Sequence, residues 1–372
     1  MERNKRIIAK TIAIVAVLLV VYIFLPMISS LIYHPPGSMY MVLPKKVKFE
    51  FERVINISAR TVMLNITLPQ NSEYQKVVMS SISSVTPTKH ESYNRTWLTY
   101  KFKGSAHIVL KYNGTTIMKK WYIENSDDTK AIPQNLKDQY DHDEYLLRYN
   151  DTTKKYQKVY VISPSAFEKK KIGEQITSGK HSVVEKLRAI YDVIVQNFRY
   201  KTERSGLPHT AVETWNDREG DCDELSFVFV SLARSVGIPA WVEYGWLYNG
   251  HGWEQHAWVR TVVPHDGKLE YVNIDVTVEV GRKDYGMGFM IRDPYRFTEW
   301  CDDGNSEHLS AYYNFIHYTT PPSFNYDESV KTIKIIELDK ENVYVGGQTP
   351  SWLMIIIFTA IIGAVIAIII RW

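Results

Sequence analysis

Only two cysteines, Cys222 and Cys301, occur in the 372 residues. Two thiols cannot build a disulfide framework, an all-cysteine zinc site or an iron–sulfur ligand set; at most they form one bridge. An excess of one charge is missing too. Lys+Arg number 44 against 41 Asp+Glu, a balance of +3, whereas a protein that binds nucleic acid by neutralising phosphates needs a strong basic surplus. No repeat or low-complexity tract is present, and no motif calls for a cofactor. Aromatic area, by contrast, is plentiful: 25 Tyr, 10 Trp and 13 Phe predict large buried ring contacts. The mean hydropathy of −0.23 looks soluble, but it averages over unlike segments.

Residues 11–33 carry no charge and follow Arg3, Lys5, Arg6 and Lys10 in a ten-residue tail. At about 1.5 Å per residue such a run covers the roughly 30 Å hydrocarbon core. It is longer than a signal-peptide core, and Pro35-Pro36-Gly37 follows in place of a small-residue cleavage site, so an uncleaved anchor is expected. Residues 351–370 are again uncharged, with Arg371 and Trp372 beyond them, a boundary signature. Two spans in the bilayer put both termini on one side. The basic start favours a cytoplasmic N-terminus, which Lys45, Lys46 and Lys48 oppose. Five Asn-x-Ser/Thr acceptors, at Asn56, Asn65, Asn94, Asn113 and Asn150, break the tie toward an extracytoplasmic, glycosylatable middle region.

Within that region, residues 45–125 read as a β-sandwich-like domain. Strand patterns run over 47–52, 61–68, 97–102, 107–112 and 116–118, with Asn113-Gly114 as a hairpin turn. Nothing there looks catalytic, so a spacer or recognition role is the default. Residues 126–300 read as an α+β domain: helices over 182–198 and 222–236, then strands at 240–247, 255–263 and 269–277. Residues 301–345 form an aromatic, loop-rich extension with one strand-like run at 332–338.

The chemistry concentrates at Gly220-Asp221-Cys222-Asp223-Glu224. Asp221 as N-cap and Glu224 three residues on make a capping box, which places Cys222 in the first helical turn. Helix-terminal N–H groups favour a thiolate there, the flanking carboxylates oppose it, and an imidazole partner is needed. His256 and Asp275 can supply one. A four-residue loop 264–267 pairs His256 with Asp275; a turn centred on Asp266-Gly267 pairs it with Thr277 and leaves Asp275 diagonal. Side chains alternate along a strand, so both registers put His256, Trp258, Asn273 and Asp275 on one face. Ala257, Val259, Val272, Ile274 and Val276 then form the apolar face.

The blocks Asn197-Phe198-Arg199-Tyr200, Ala211-Val212-Glu213-Thr214-Trp215, Gly220-Asp221-Cys222-Asp223-Glu224, Gly237-Ile238-Pro239-Ala240, His256-Ala257-Trp258-Val259 and Asn273-Ile274-Asp275-Val276-Thr277 together resemble the transglutaminase-like superfamily of papain-type fold, over about residues 160–280. The resemblance implies a papain-like α+β core with Cys222 as nucleophile, His256 as base and Asp275 as the third member. It also implies acyl hydrolysis or transfer at peptide or isopeptide bonds of a polypeptide or cell-surface peptide, through a thioester. Val276 stands where many members have Pro, Trp241 where many have Arg, and no residue matches the family's side-chain oxyanion donor.

Rival readings exist for each feature. Cys222 and Cys301 could form an extracellular disulfide, and the fold could serve as a non-catalytic surface binding or scaffolding module. His251-Gly252-Trp253-Glu254-Gln255-His256 lacks metal-site spacing. Asp302-Asp303-Gly304-Asn305 lacks the remainder of a calcium loop and reads as a turn. Tyr244, Trp246, Tyr248, Trp253 and Trp258 fit a substrate groove or a core equally well.

Overall fold

A computed structural model describes residues 39–92, 95–150, 152–202, 207–278, 288–319 and 324–345. The apolar segments 11–33 and 351–370 lie outside the described residues, as does Asn94. Among the described residues no helix is long and apolar enough to cross a membrane. The described residues of 42–278 and 288–341 form one compact unit.

The described chain opens with β1 (Met39–Thr67), β2 (Gln75–Ser83), β3 (Thr88–Ser92) and β4 (Arg95–Ile117). After β5 (Lys119–Lys120) come α1 (Gln134–Tyr140), the hairpin β6 (Glu144–Asn150) and β7 (Lys155–Ile162), and helices α2 (Pro164–Lys169), α3 (Ile172–Ile176) and α4 (Val183–Asn197). The short β8 (Arg199–Tyr200) and β9 (Glu219–Gly220) bracket α5 (Ala211–Asp217). Helix α6 (Cys222–Arg234) leads into β10 (Ala240–Tyr248), β11 (Trp253–His265) and β12 (Lys268–Ile274). Then follow β13 (Ile291–Arg292), β14 (Arg296–Cys301), α7 (Ser306–Tyr313), β15 (Ile316–Thr319) and β16 (Asn325–Val345).

The N-terminal strands form one six-stranded sheet in the order β15-β1-β4-β2, with β16 also on β1 and β3 on β4. This corrects the sandwich expectation. A sandwich needs a second sheet to cover its apolar face; here Trp246, Trp253 and Phe297 of the following domain join that sheet's core cluster instead. Phe51 stacks on Tyr112 at 4.5 Å and on Trp253 at 4.9 Å, and Phe49 on Phe297 at 5.2 Å. The expected loop-rich extension is likewise a helix and two strands, β15 and β16 of this same sheet. Asn113-Gly114 is no hairpin turn: both residues lie inside β4, paired with Glu50 and Phe49 on β1 and with Val78 and Val77 on β2. The glycine serves packing, since a Cβ there would sit 2.7 Å from the Phe49 ring.

The second sheet runs β12-β11-β10-β14, and α6 packs against β10 and β11. Helix α6 starts as the sequence predicts: Asp221 accepts from Glu224 N–H at 3.3 Å and Glu224 accepts from Asp221 N–H at 3.2 Å. The hairpin takes the Asp266-Gly267 register, with His265 opposite Lys268. Both turn residues have positive φ, 50° and 70°, as a type I′ turn requires. His256 and Asp275 therefore come together diagonally.

Candidate active site

His256 Nε2 lies 2.9 Å from Asp275 Oδ2, and both residues are buried, with 7% and 1% of their surface exposed. Arg296 from β14 donates to the same carboxylate oxygen at 2.7 Å. Thr277 N–H and Oγ1 donate to Oδ1 at 3.1 and 2.6 Å. Burial alone would raise the Asp275 pKa, but the His256 ring and Arg296 guanidinium outweigh it and hold the carboxyl well below the usual range. An ionised Asp275 accepts a hydrogen bond from Nε2–H of a neutral imidazole, which leaves Nδ1 as the basic nitrogen.

Cys222 and His256 line one cleft of about 200 Å³. The Ala257 backbone N–H, one residue past the imidazole, donates to the Cys222 sulfur. Burial pushes the Cys222 thiol pKa well up, and Asp223 and Asp221 push the same way against that amide. The thiolate expected at a helix N-terminus is thus outweighed at rest. Asp223 is itself raised well above the carboxylate range, by burial and then by its contact with Asp221, and accepts from Tyr313 Oη at 2.7 Å. Both cysteines are free, so the Cys222–Cys301 bridge is not formed. The Cys301 thiol donates instead to Glu243 at 3.3 Å.

Among the described residues, one group has metal-ligand spacing: Asp221, Cys222 and Asp223, with ligand atoms within 4.8 Å of one another. Its members are already engaged, Asp221 as the helix cap and Asp223 with Tyr313. Asp302-Asp303-Gly304-Asn305 is a turn, with Gly304 at φ 80° and Asn305 capping α7.

Several supports were invisible in the sequence. Arg296 is 1% exposed and lies over the Trp258 ring at 4.7 Å. Buried Glu243 accepts from Trp258 Nε1 at 2.5 Å, Asn273 at 2.8 Å and Arg260 at 2.9 Å. Burial opposes its ionisation, yet Arg260 and Arg292 bring its pKa down to about 2. The N-terminal sheet, expected to be a spacer or a recognition module, supplies Arg53, Asn65, Ile66 and Thr67 to the cleft wall, and β14 supplies Glu299. Of the five aromatics, Tyr244, Trp246, Trp253 and Trp258 are buried, and Tyr244 also lines the cleft.

Residues 170–276 match the family model described as the transglutaminase-like superfamily. The chain is similar to YebA, an uncharacterised protein of Bacillus subtilis (strain 168), with 28% identity over 117 residues. That match spans 26% of this chain and only 16% of YebA. The fold resembles the crystal structure of a candidate cysteine protease from Cytophaga hutchinsonii, with a TM-score of 0.54 and 14% identity over 82% of this chain and 93% of that one. A transglutaminase-like α+β core with a strand-rich N-terminal region is therefore the architecture.

Proposed function

We propose that the chain is a membrane-anchored, extracytoplasmic cysteine acyl hydrolase or acyltransferase acting on peptide or isopeptide bonds. The observation that carries the reading is the opening of Cys222 and His256 onto one cleft, with His256 bonded to Asp275. Because the thiol's surroundings keep it protonated, His256 Nδ1 removes the proton as sulfur attacks the carbonyl carbon. Asp275 holds the tautomer and stabilises the imidazolium. Collapse of the tetrahedral adduct breaks the C–N bond, the imidazolium protonates the departing amine, and a thioester remains on Cys222. Water, or an incoming amine, then gives a proton to His256 and attacks the thioester; the acid or new amide leaves as the thiol regains its proton. Anchoring rests on the apolar segments 11–33 and 351–370, and the outward orientation on the glycosylation acceptors.

Iodoacetamide labelling of Cys222 followed by mass spectrometry across pH tests the chemistry. Labelling that rises through the titration of an imidazole, and falls at least tenfold in His256→Ala, is expected. Equal labelling in both proteins refutes it. Protease added outside intact cells is expected to digest the middle region; full protection refutes the orientation.

A further inference from the structure

Strand β1 pairs with β4 over Lys46–Ala59 and Val62–Thr67, and its other edge carries β15 and β16. Pairing with β15 runs over Thr61–Leu64, and the Asn65 N–H to Phe315 carbonyl bond at 2.8 Å is the last on that side. Antiparallel ladders alternate, so successive residues send their N–H and C=O to opposite edges. Leu68 N–H donates to the Thr96 carbonyl at 2.8 Å, which marks Leu68 as facing β4. Thr67, opposite Trp97 in the register, therefore directs both main-chain groups away from β4, past the point where Phe315 ends the cover. Neither group has a hydrogen-bond partner among the described residues, and Thr67 lines the cleft that holds Cys222 and His256.

Thr67 is 6% exposed and rigidly held. Thr67 Oγ1 accepts from Arg95 Nε at 3.0 Å and Nη2 at 2.7 Å, and Arg95 is fixed over the rings of Trp97, Trp300 and Tyr312 within 6.0 Å. A second buried polar group lines the same cleft. Glu299 is 4% exposed; its Oε1 takes Trp246 Nε1 at 2.9 Å and Tyr112 Oη at 3.4 Å, while Oε2 has no partner among the described residues. A donor and an acceptor side by side on one strand residue match the main chain of an extended peptide. They do not match a lone side-chain amide.

Resting on the acyl-transfer reading, we propose that the open edge of β1 at Thr67 is a docking strand for an extended peptide substrate. The substrate's main chain exchanges hydrogen bonds with Thr67 while its scissile carbonyl sits at Cys222. The N-terminal sheet is then a substrate-binding part of the enzyme, and linear peptides are its substrate class. Side chains take no part in this pairing, so a peptide of alanines is a sufficient probe.

The experiment measures second-order rates of Cys222 modification by intact mass, with acetyl-trialanyl vinyl sulfone and with iodoacetamide. The peptidyl reagent is compared with versions N-methylated at each amide in turn. Loss of one main-chain hydrogen bond lowers the peptidyl rate by about three- to tenfold, so one N-methyl position is expected to show that drop. Thr67→Pro removes an N–H that lies outside the ladder, a placement strands tolerate, together with the hydroxyl that holds Arg95; Thr67→Val loses that hydroxyl and keeps the N–H. Relative to Thr67→Val, Thr67→Pro is expected to lower the ratio of peptidyl to iodoacetamide rates by a similar factor. Iodoacetamide labelling with a flat N-methyl series, or with an equal ratio in Thr67→Pro and Thr67→Val, overturns the docking strand and leaves the thiol chemistry standing. No labelling by either reagent overturns the acyl-transfer reading itself. Should Thr67→Pro fail to fold, the N-methyl series in the wild type decides alone.

Discussion

Replacing Arg296 by methionine removes the guanidinium that shares Asp275 with His256 while keeping most of the side-chain bulk. Arg296 is 1% exposed; it donates to Asp275 at 2.7 Å and to the Ile291 carbonyl at 3.0 Å, and it covers Trp258. Removing one partner of a buried pair leaves the other charge uncompensated and costs about 3–5 kcal/mol, which corresponds to a melting temperature lower by roughly 6–20 °C. The catalytic effect has its own sign. Without Arg296, the Asp275 carboxylate has only the His256 proton for compensation, so the imidazolium form is favoured and the imidazole pKa rises. Since the neutral imidazole is the base, the acid limb of Cys222 alkylation moves to higher pH, by about one unit for each 1.4 kcal/mol of added attraction. Thermal unfolding and iodoacetamide rates between pH 5 and 9 supply both readouts. A variant that melts with the wild type and keeps its acid limb would refute the assignment of Arg296 as the positioning residue for Asp275.

Glu299 is raised to about 7, chiefly by burial and against the pull of Arg53, so its folded form keeps a proton that the unfolded chain has released. Wild-type stability therefore falls between about pH 4.5 and 7, and Glu299→Gln is expected to flatten that slope by on the order of 2–3 kcal/mol; parallel urea titrations across that range check it. Trp253→Ala empties a site packed against Phe49 and Phe51 and should cost about 3–5 kcal/mol. Because that ring belongs to a core shared by both sheets, denaturant unfolding monitored by fluorescence and far-UV circular dichroism should stay coincident. Separate transitions would show that the sheets unfold independently. Cys301→Ser keeps a donor for Glu243 and should leave Cys222 labelling by iodoacetamide within about twofold, at a stability cost of about 1 kcal/mol; a large loss of labelling would tie Cys301 to the chemistry.

The helix carrying Cys222 was legible because its signals are local: a capping box at Asp221 and Glu224, an apolar stripe, and Gly237 beyond its end. The juxtaposition of His256 and Asp275 was legible for a different reason, since period-two alternation survives any even shift of register. Turn chemistry then selected Asp266-Gly267. The remainder depends on contacts far apart in sequence. Arg296 reaches Asp275 across 21 residues, and nothing near residue 296 signals a buried guanidinium. Asn113-Gly114 carries a local hairpin preference that the flanking strands β1 and β2 override. The sheet's apolar face was read as needing a second sheet of its own, because its true cover, Trp246, Trp253 and Phe297, begins more than a hundred residues downstream.

The sheet that walls the cleft joins the beginning and the end of the described chain. Arg53 on β1 forms a paired contact with Glu328 on β16, 275 positions away, at 2.9 Å through both nitrogens, and β15 closes the edge beside Asn65. Such distant pairings form late, because chain entropy opposes closing so long a loop before local structure is in place. During synthesis the helix bearing Cys222 emerges well before residues 316–345, so the thiol exists for a time without a finished cleft around it. Maturation of the site is thus coupled to the arrival of the last strands, and a nascent chain stalled short of them would carry the chemistry without a completed wall beside it.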